Sequence, residues 1–334
     1  LRRLWNMARL LLNDYGIFLG LKRGYFYVKK GNEKAIFAPS QIEQIIVLTG
    51  GASISSAAIR QALKFNIPIS FHLSDGRFLG MIKRIGSANV LLRKKQYEAR
   101  FNEKGIEIAR KVAIAKIYNQ RTLLSQYLRT KELDDSKRGE IQDAIDKMSD
   151  YIEEIKSLVL QSDIIKAEAE AAKLYWNCFK YFVKAEFKER KKRFDEPKDP
   201  VNVCLNYGYS ILGSQVWHAV ELKGLDPYAG YLHVDSPRRP ALVMDLMEEF
   251  RQVVIDRVVI RFINSLDNFN IIEKGFLKRE HRKKLVSMIF QRLEEKITFE
   301  ERRMPIIAHI HNQVTKLAEF LMDRRKDYTP FLEK

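Results

Sequence analysis

A chain of 334 residues with 46% apolar and 30% charged residues has material for about two domains with real cores, which excludes disordered, collagen-like and low-complexity classes. Lysine and arginine number 59 against 42 acidic residues, a net charge of +17, and that excess points to a polyanionic partner, nucleic acid first, with a lysine-rich solubilising surface as the plain alternative. Cys178 and Cys204 suit neither a disulfide framework nor a zinc site, so buried thiols in a reducing, cytoplasmic setting are expected, and no stretch approaches the ~18 apolar residues of a membrane span.

Residues 1–7 read as an N-terminal extension. From Arg9 to about Arg84 the pattern is β-like. Leu10 to Leu12, Ile17 to Leu21, Tyr25 to Lys29, Lys34 to Phe37 and Gln44 to Leu48 are rich in aromatic and branched residues, with turns such as Asp14-Tyr15-Gly16 and Gly31-Asn32 between them. Ile69 to Leu73 and Phe78 to Ile82 flank Ser74-Asp75-Gly76, a hairpin whose glycine can take the positive φ of a tight turn. One helix interrupts the strands, Ser55 to Phe65, capped by Ser55 or Ser56. Residues 8–86 therefore form a small β-rich, β-sandwich-like domain.

After Gly86 the spacing becomes helical: Leu91 to Leu128, Ile141 to Val159, Asp163 to Arg193, Val201 to Leu222, Arg239 to Asn264 and Met304 to Arg325 repeat apolar residues every three or four positions. The break at Asp195 to Pro200 ends in Asp199-Pro200, a favourable helix start. Residues 87–334 are thus expected to be an all-α domain, making the protein α+β overall. No fixed-period repeat, Walker A loop or GxGxxG after a strand is present.

Within the helical part, Glu168 shares a face with Ala171, Ala172 and Tyr175, the small-residue face that presses on a neighbour, whereas Glu170 lies about 200° around the helix. A carboxylate there must be paired, protonated or metal-bound; an ion pair with lysine or arginine and a metal site both satisfy that need. A turn-rich stretch, Gly224-Leu225-Asp226-Pro227-Tyr228, leads to His233, then to Arg238-Arg239-Pro240 and a helix on which Asp245, Glu248 and Glu249 lie at i, i+3 and i+4. These acids either complement the helix dipole and pair with Arg251, or are stabilised by a cation, for which carboxylates with one imidazole suit Mg2+ or Mn2+ better than zinc. His72 and His218 read as packing residues, and His309 and His311 face opposite sides of a helix. Cys178 has no local histidine partner and there is no GxSxG elbow, so nucleophilic covalent chemistry has little support. Basic runs at Lys188 to Arg193, Arg238-Arg239, Lys278 to Lys284 and Arg324 to Lys326 are candidate phosphate contacts. Acids suited to a metal inside a positive field form the combination that phosphodiester chemistry requires.

The series Glu168 with Ala171-Ala172 and Tyr175-Trp176, Asp199-Pro200-Val201-Asn202 with Leu205-Asn206-Tyr207-Gly208-Tyr209, Gly224-Leu225-Asp226-Pro227-Tyr228 leading to His233, Arg239-Pro240, and Asp245-Leu246-Met247-Glu248-Glu249-Phe250-Arg251 resembles, in order and spacing, the CRISPR-associated endonuclease/integrase family Cas1. The likeness covers nearly the whole chain after Met7. It implies a metal-dependent DNA enzyme of spacer acquisition in antiviral defence, which joins protospacer 3′ ends to the CRISPR repeat by transesterification and acts as a nuclease with water. It also implies an Mn2+ or Mg2+ held by Glu168, His233 and Glu248, with Asp245 a further acidic residue needed for activity. Arg238, Arg239 and Lys278 are candidate DNA contacts. The same resemblance implies a homodimer formed through the N-terminal domains, the partner Cas2, and protospacer, repeat and branched DNA as substrates. Ala169 stands where glycine is common after the catalytic glutamate, Glu170 is an extra acid, and Glu248 replaces an aspartate found in some members. The competing readings are a non-catalytic nucleic-acid-binding architectural subunit and a metal-dependent RNA nuclease.

Overall fold

The structure is a computed structural model that describes residues 5–6, 9–73, 76–85, 89–191, 199–237 and 239–333. The chain divides into two compact units, Leu1–Gly86 with Phe276–Ser287, and Ser87–Gly275 with Met288–Lys334. Most of the expected extension 1–7, and the expected junction at 86–87, lie outside the described residues.

Among the described residues, nine strands build the two sheets of the first unit: β1 (Trp5–Asn6), β2 (Arg9–Leu12), β3 (Phe18–Lys22), β4 (Tyr25–Lys30), β5 (Glu33–Phe37), β6 (Gln44–Val47), β7 (Ser53–Ile54), β8 (Ile69–His72) and β9 (Phe78–Ile82). They form a five-stranded sheet in the order β1-β2-β6-β8-β9 and a four-stranded sheet in the order β5-β4-β3-β7. β6 is buried along its whole length because it pairs in parallel with both β2 and β8. In β4, buried Phe26 and Val28 alternate with more exposed neighbours. Leu10, Leu12, Ile45, Val47 and Ile69 of one sheet share a core with Leu19, Phe26 and Val28 of the other, together with Ala58 and Ala62 of helix α1 (Ser56–Lys64). Ser55 caps α1 by accepting from the Ala58 amide, as its position predicts. Of the expected hairpin turn, Ser74 and Asp75 lie outside the described residues, and Gly76 takes φ +85°.

The second unit is built on α2 (Val90–Ala99), α3 (Glu103–Thr130), α4 (Asp135–Ser157), α5 (Gln161–Phe179), α6 (Pro200–Lys223), α7 (Ala241–Glu248), α8 (Arg257–Asn264) and α10 (Ile306–Leu321); α9 (Arg279–Glu294) begins in the first unit. Helices α3, α4 and α5 pack together, and α6 packs on α7, α8 and α10. Four expectations need correction. The helix expected over 91–128 is two helices, because Asn102 caps α3 and Gly105 lies so close to Ala99 that a Cβ would sit 2.4 Å from its carbonyl oxygen. The helix expected to reach Arg193 ends at Phe179 with one 3-10 turn, Lys180–Phe182, where Asn264 grips the backbone by donating to the Phe182 carbonyl and accepting from the Lys184 amide. The helix expected over 239–264 is broken by a π-helical segment, Arg251–Asp256. The charged run at 278–284 opens α9, whose apolar face of Leu285, Val286, Ile289 and Leu293 comes later. The helical unit also carries a β-ribbon, Lys296–Phe299 with Arg302–Pro305. Cys178 and Cys204 are buried free thiols. Among the described residues no helix is long and apolar enough to cross a membrane.

In the first unit, buried Asp14 pairs with Lys30 at 2.7 Å and with Arg279 and Lys283 of α9. Burial opposes its charge, but hydrogen bonds from the three cations overcome that and hold the carboxyl far below its ordinary 3.8. A depressed carboxyl stabilises the fold above its unfolded pKa, and that contribution disappears as pH falls toward the folded value. Asp14→Asn is therefore expected to destabilise the protein by about 2 kcal/mol at pH 7, with the difference from wild type narrowing below pH 4 in chemical denaturation.

Candidate active site

Helix α5 buries Ile164, Ala167, Ala171 and Tyr175, and Glu168 projects from that side with its side chain 14% exposed. Glu170 points to solvent and pairs with Lys173 at 2.5 Å. The helical period alone thus separates the two glutamates. Two turns before Glu168, Gln161 donates to the carbonyls of Tyr231 (2.6 Å) and Leu232 (3.2 Å), so the helix that presents Glu168 also holds the loop that presents His233.

That loop starts where Gly224, at φ +89°, ends α6. Gln96 of α2 donates to the carbonyls of Asp226 and Ala229 and accepts from the Asp226 amide. At Gly230 the backbone passes against α7 so closely that a Cβ would meet the Ala241 carbonyl carbon at 2.6 Å and Asp245 Oδ2 at 2.8 Å. The Asp245 carboxylate accepts from the amides of Tyr231 (2.6 Å), Leu232 (3.0 Å) and His233 (3.0 Å). It also accepts from His233 Nδ1–H at 2.7 Å, which fixes the imidazole tautomer and leaves the Nε2 lone pair directed elsewhere. Asp245 is therefore fully engaged as the clamp of the His233 loop.

The three acids of α7 and its end do not share one patch. Glu249 turns away into the core, accepting from Tyr328 Oη–H, Gln313 Nε2 (2.8 Å) and the Phe331 amide (2.7 Å), and burial raises its pKa. The chain's last described segment thus packs beneath the site, where Asn119 donates to the carbonyls of Glu249 and Phe331 and accepts from the Glu333 amide.

Glu248 alone faces Glu168 and His233. Its Oε1 lies 3.6 Å from His233 Nε2 and 3.2 Å from the Arg251 guanidinium, and its Oε2 lies 3.3 Å from Lys116 Nζ. Lys116, from the middle of α3, also pairs directly with Glu168. Burial opposes the charge on Glu248, but Arg251 and Lys116 hold its pKa down at about 2. Burial likewise opposes the Lys116 charge, and Glu248 and Glu168 raise it again. Among the described residues no three Asp, Glu, His or Cys side chains converge as a chelating cluster; the ammonium stands between the two carboxylates instead. The donor chemistry nonetheless fits a hard divalent ion: two carboxylates from separate helices, and an imidazole whose far nitrogen is tied to a carboxylate.

Behind the site, Asp256 of the π-helical segment accepts from the hydroxyls of Tyr175 (2.7 Å), seven residues along α5 from Glu168, and of Tyr209 on α6. The Arg251 guanidinium covers the Tyr209 ring at 4.9 Å. This network joins the helix of Glu168 to the segment that carries Arg251.

Arg239 is exposed and lines a cavity of about 260 Å³ with Tyr97, Arg100 and Tyr228. Lys278 belongs to the first unit, and Arg238 lies outside the described residues. Sequence reasoning passed over Lys116 and Asn119. Lys116 follows Val112 by four and precedes Asn119 and Leu123 by three and seven, all buried, so the test that singled out Glu168, a charge on a packing face, finds it as well.

The family model for the CRISPR associated protein Cas1 matches residues 10–291. A CRISPR-associated endonuclease Cas1 of Archaeoglobus fulgidus is 31% identical over an alignment spanning 98% of this chain and 99% of its own. A second such endonuclease, from Pyrobaculum aerophilum, is 35% identical over 91% of this chain and 96% of its own. Among solved structures, a casposase bound to integration product is similar with a TM-score of 0.81 and 26% identity, over 98% of this chain and 95% of that one.

The Asp256 network has a titration signature. Burial raises this carboxyl from 3.8 to about 6 against the tyrosine hydroxyls and Arg190 and Arg251. A raised carboxyl makes the folded state bind an extra proton between pH 4 and 6, so stability falls as pH rises through that window. In Asp256→Asn the penalty is absent, and the variant's stability relative to wild type is expected to improve by about 3 kcal/mol between pH 4 and pH 8. Urea denaturation at both pH values checks this; a flat or inverted difference disproves it.

Proposed function

The chain belongs to the CRISPR-associated Cas1 family, and from that premise we propose that it is a divalent-metal-dependent DNA endonuclease/integrase of CRISPR adaptation. The observation that carries the reading is the meeting of Glu168, from α5, with Glu248, from α7, beside a histidine oriented by Asp245. Glu168, Glu248 and His233 Nε2 would hold Mn2+ or Mg2+. The ion, when bound, supplies charge stabilisation to a phosphodiester undergoing displacement.

The protein's own residues do the remaining work. Asp245 keeps Nδ1 of His233 protonated and Nε2 free as a donor. Arg251 adds positive charge beside Glu248, where negative charge accumulates on the phosphoryl oxygens. The excess of lysine and arginine holds the DNA backbone, with Arg239, beside Tyr97 and Arg100, and Lys278 in the first unit as contacts. The reaction is attack by a DNA 3′-hydroxyl on a repeat phosphodiester, one P–O bond forming as another breaks and the displaced oxygen leaving as a DNA 3′-hydroxyl. Water in place of the DNA hydroxyl gives strand cleavage. Protospacer, repeat and branched DNA are the substrates, a homodimer joined with Cas2 is the assembly, and the reducing cytoplasm is the setting that two free thiols suit.

One observation favours a second reading. Lys116 and Arg251 neutralise Glu168 and Glu248, which is what an architectural DNA-binding subunit with no chemistry also requires. Alanine variants separate the two. Glu168→Ala, His233→Ala and Glu248→Ala are each expected to reduce strand joining and cleavage of branched DNA by at least about a hundredfold, with DNA affinity kept within about threefold. Chelator is expected to abolish wild-type activity, and parallel RNA substrates to remain intact. Activity unaffected by chelator or by all three substitutions removes the enzymatic reading.

A further inference from the structure

Among the described residues, Lys116 is the charged group of the site that no acidic motif accounts for. It comes from α3, while the carboxylates come from α5 and α7, so three elements must be packed before the three charges meet. Its side chain is 15% exposed, against 14% for Glu168 and 1% for Glu248. Two buried carboxylates repel unless a cation lies between them, and a cation serving both must sit within reach of each. The ammonium does so, paired with Glu168 on one side and 3.3 Å from Glu248 Oε2 on the other.

We propose that Lys116 is a tethered counter-cation that keeps Glu168 and Glu248 together in the metal-free protein and is displaced when a divalent ion binds. Metal binding is then an exchange of ammonium for metal. The inference rests on the reading of Glu168, His233 and Glu248 as the ligands. Two consequences follow from charge. Without Lys116 the carboxylates keep, among the described residues, Arg251 as the lysine or arginine beside them, so the metal-free protein is destabilised. With Lys116 the incoming ion must break two ion pairs and accept a positive neighbour, so the lysine lowers metal affinity.

Lys116→Met keeps the length of the side chain and removes its charge, and Lys116→Arg keeps the charge. Mn2+ binding to the full-length protein, followed by electron paramagnetic resonance of the free ion, is expected to be at least tenfold tighter in Lys116→Met than in wild type. In Lys116→Arg it is expected to be no tighter than wild type. The metal-free melting temperature of Lys116→Met is expected to fall, and the upward shift on adding Mn2+ to exceed that of wild type. Lys116→Gln, which retains a donor for the carboxylates, is expected to show the same order, and serves where the methionine variant does not fold. Mn2+ affinity equal to or weaker than wild type in the neutral variants overturns the proposal. Glu248→Ala is the control for the ligand set: unchanged Mn2+ binding there overturns the ligand reading itself, whereas loss of binding there with no tightening on neutralising Lys116 overturns only the role of the lysine.

Discussion

Two carboxylates held side by side out of water set the terms for the rest of the helical unit. Carboxylates placed so need partners of opposite sign, and positive groups approach them from other elements. Lys116 reaches both, and Arg251 reaches Glu248 from the π-helical segment just beyond it. A regular α-helix through 249–256 would turn by a different amount over those residues, so the π-helical winding helps decide which side Arg251 takes. Asp256 then ties that segment to Tyr175 and Tyr209, linking it to the helix from which Glu168 emerges.

Acidic residues adjacent in sequence are divided among separate tasks. Asp245 uses its oxygens on three loop amides and an imidazole, Glu248 faces the site, and Glu249 is anchored to Tyr328, Gln313 and Phe331. The division is possible because the His233 loop and the last described segment each supply donors where a carboxylate would otherwise be buried without partners. Loop, helix and terminal segment therefore hold one another, and Gln161 and Asn119 extend that hold to α5 and α3. The geometry of the site depends on such support, since small displacements of its side chains spoil their mutual orientation.

Alternating side chains such as Phe26 and Val28, and the positive φ at Gly76, were legible along the chain because strand and turn preferences are local. The same holds for Glu168 against Glu170, a matter of 100° per residue. Interruptions inside helical patterns were not legible from apolar spacing, which continues through Asn102, Phe179 and Phe250: the breaks come from the close approach of Ala99 to Gly105, from remote Asn264 against the 182–184 backbone, and from local winding at Arg251. Read as a row of charges, the start of α9 gave no helical signal because its packing face follows later.

By itself the amino-acid sequence determined the change from β to α grammar, the basic excess, the order of the family motifs and the separation of Glu168 from Glu170, since each depends on residue type and short-range periodicity. Only the tertiary structure decided that Asp245 serves the His233 loop, that Glu249 belongs to the core, and that Lys116, more than fifty positions before Glu168, stands between the two carboxylates. Those outcomes depend on which helix faces which, and a charge finds its partner through packing across the fold rather than through distance along the chain.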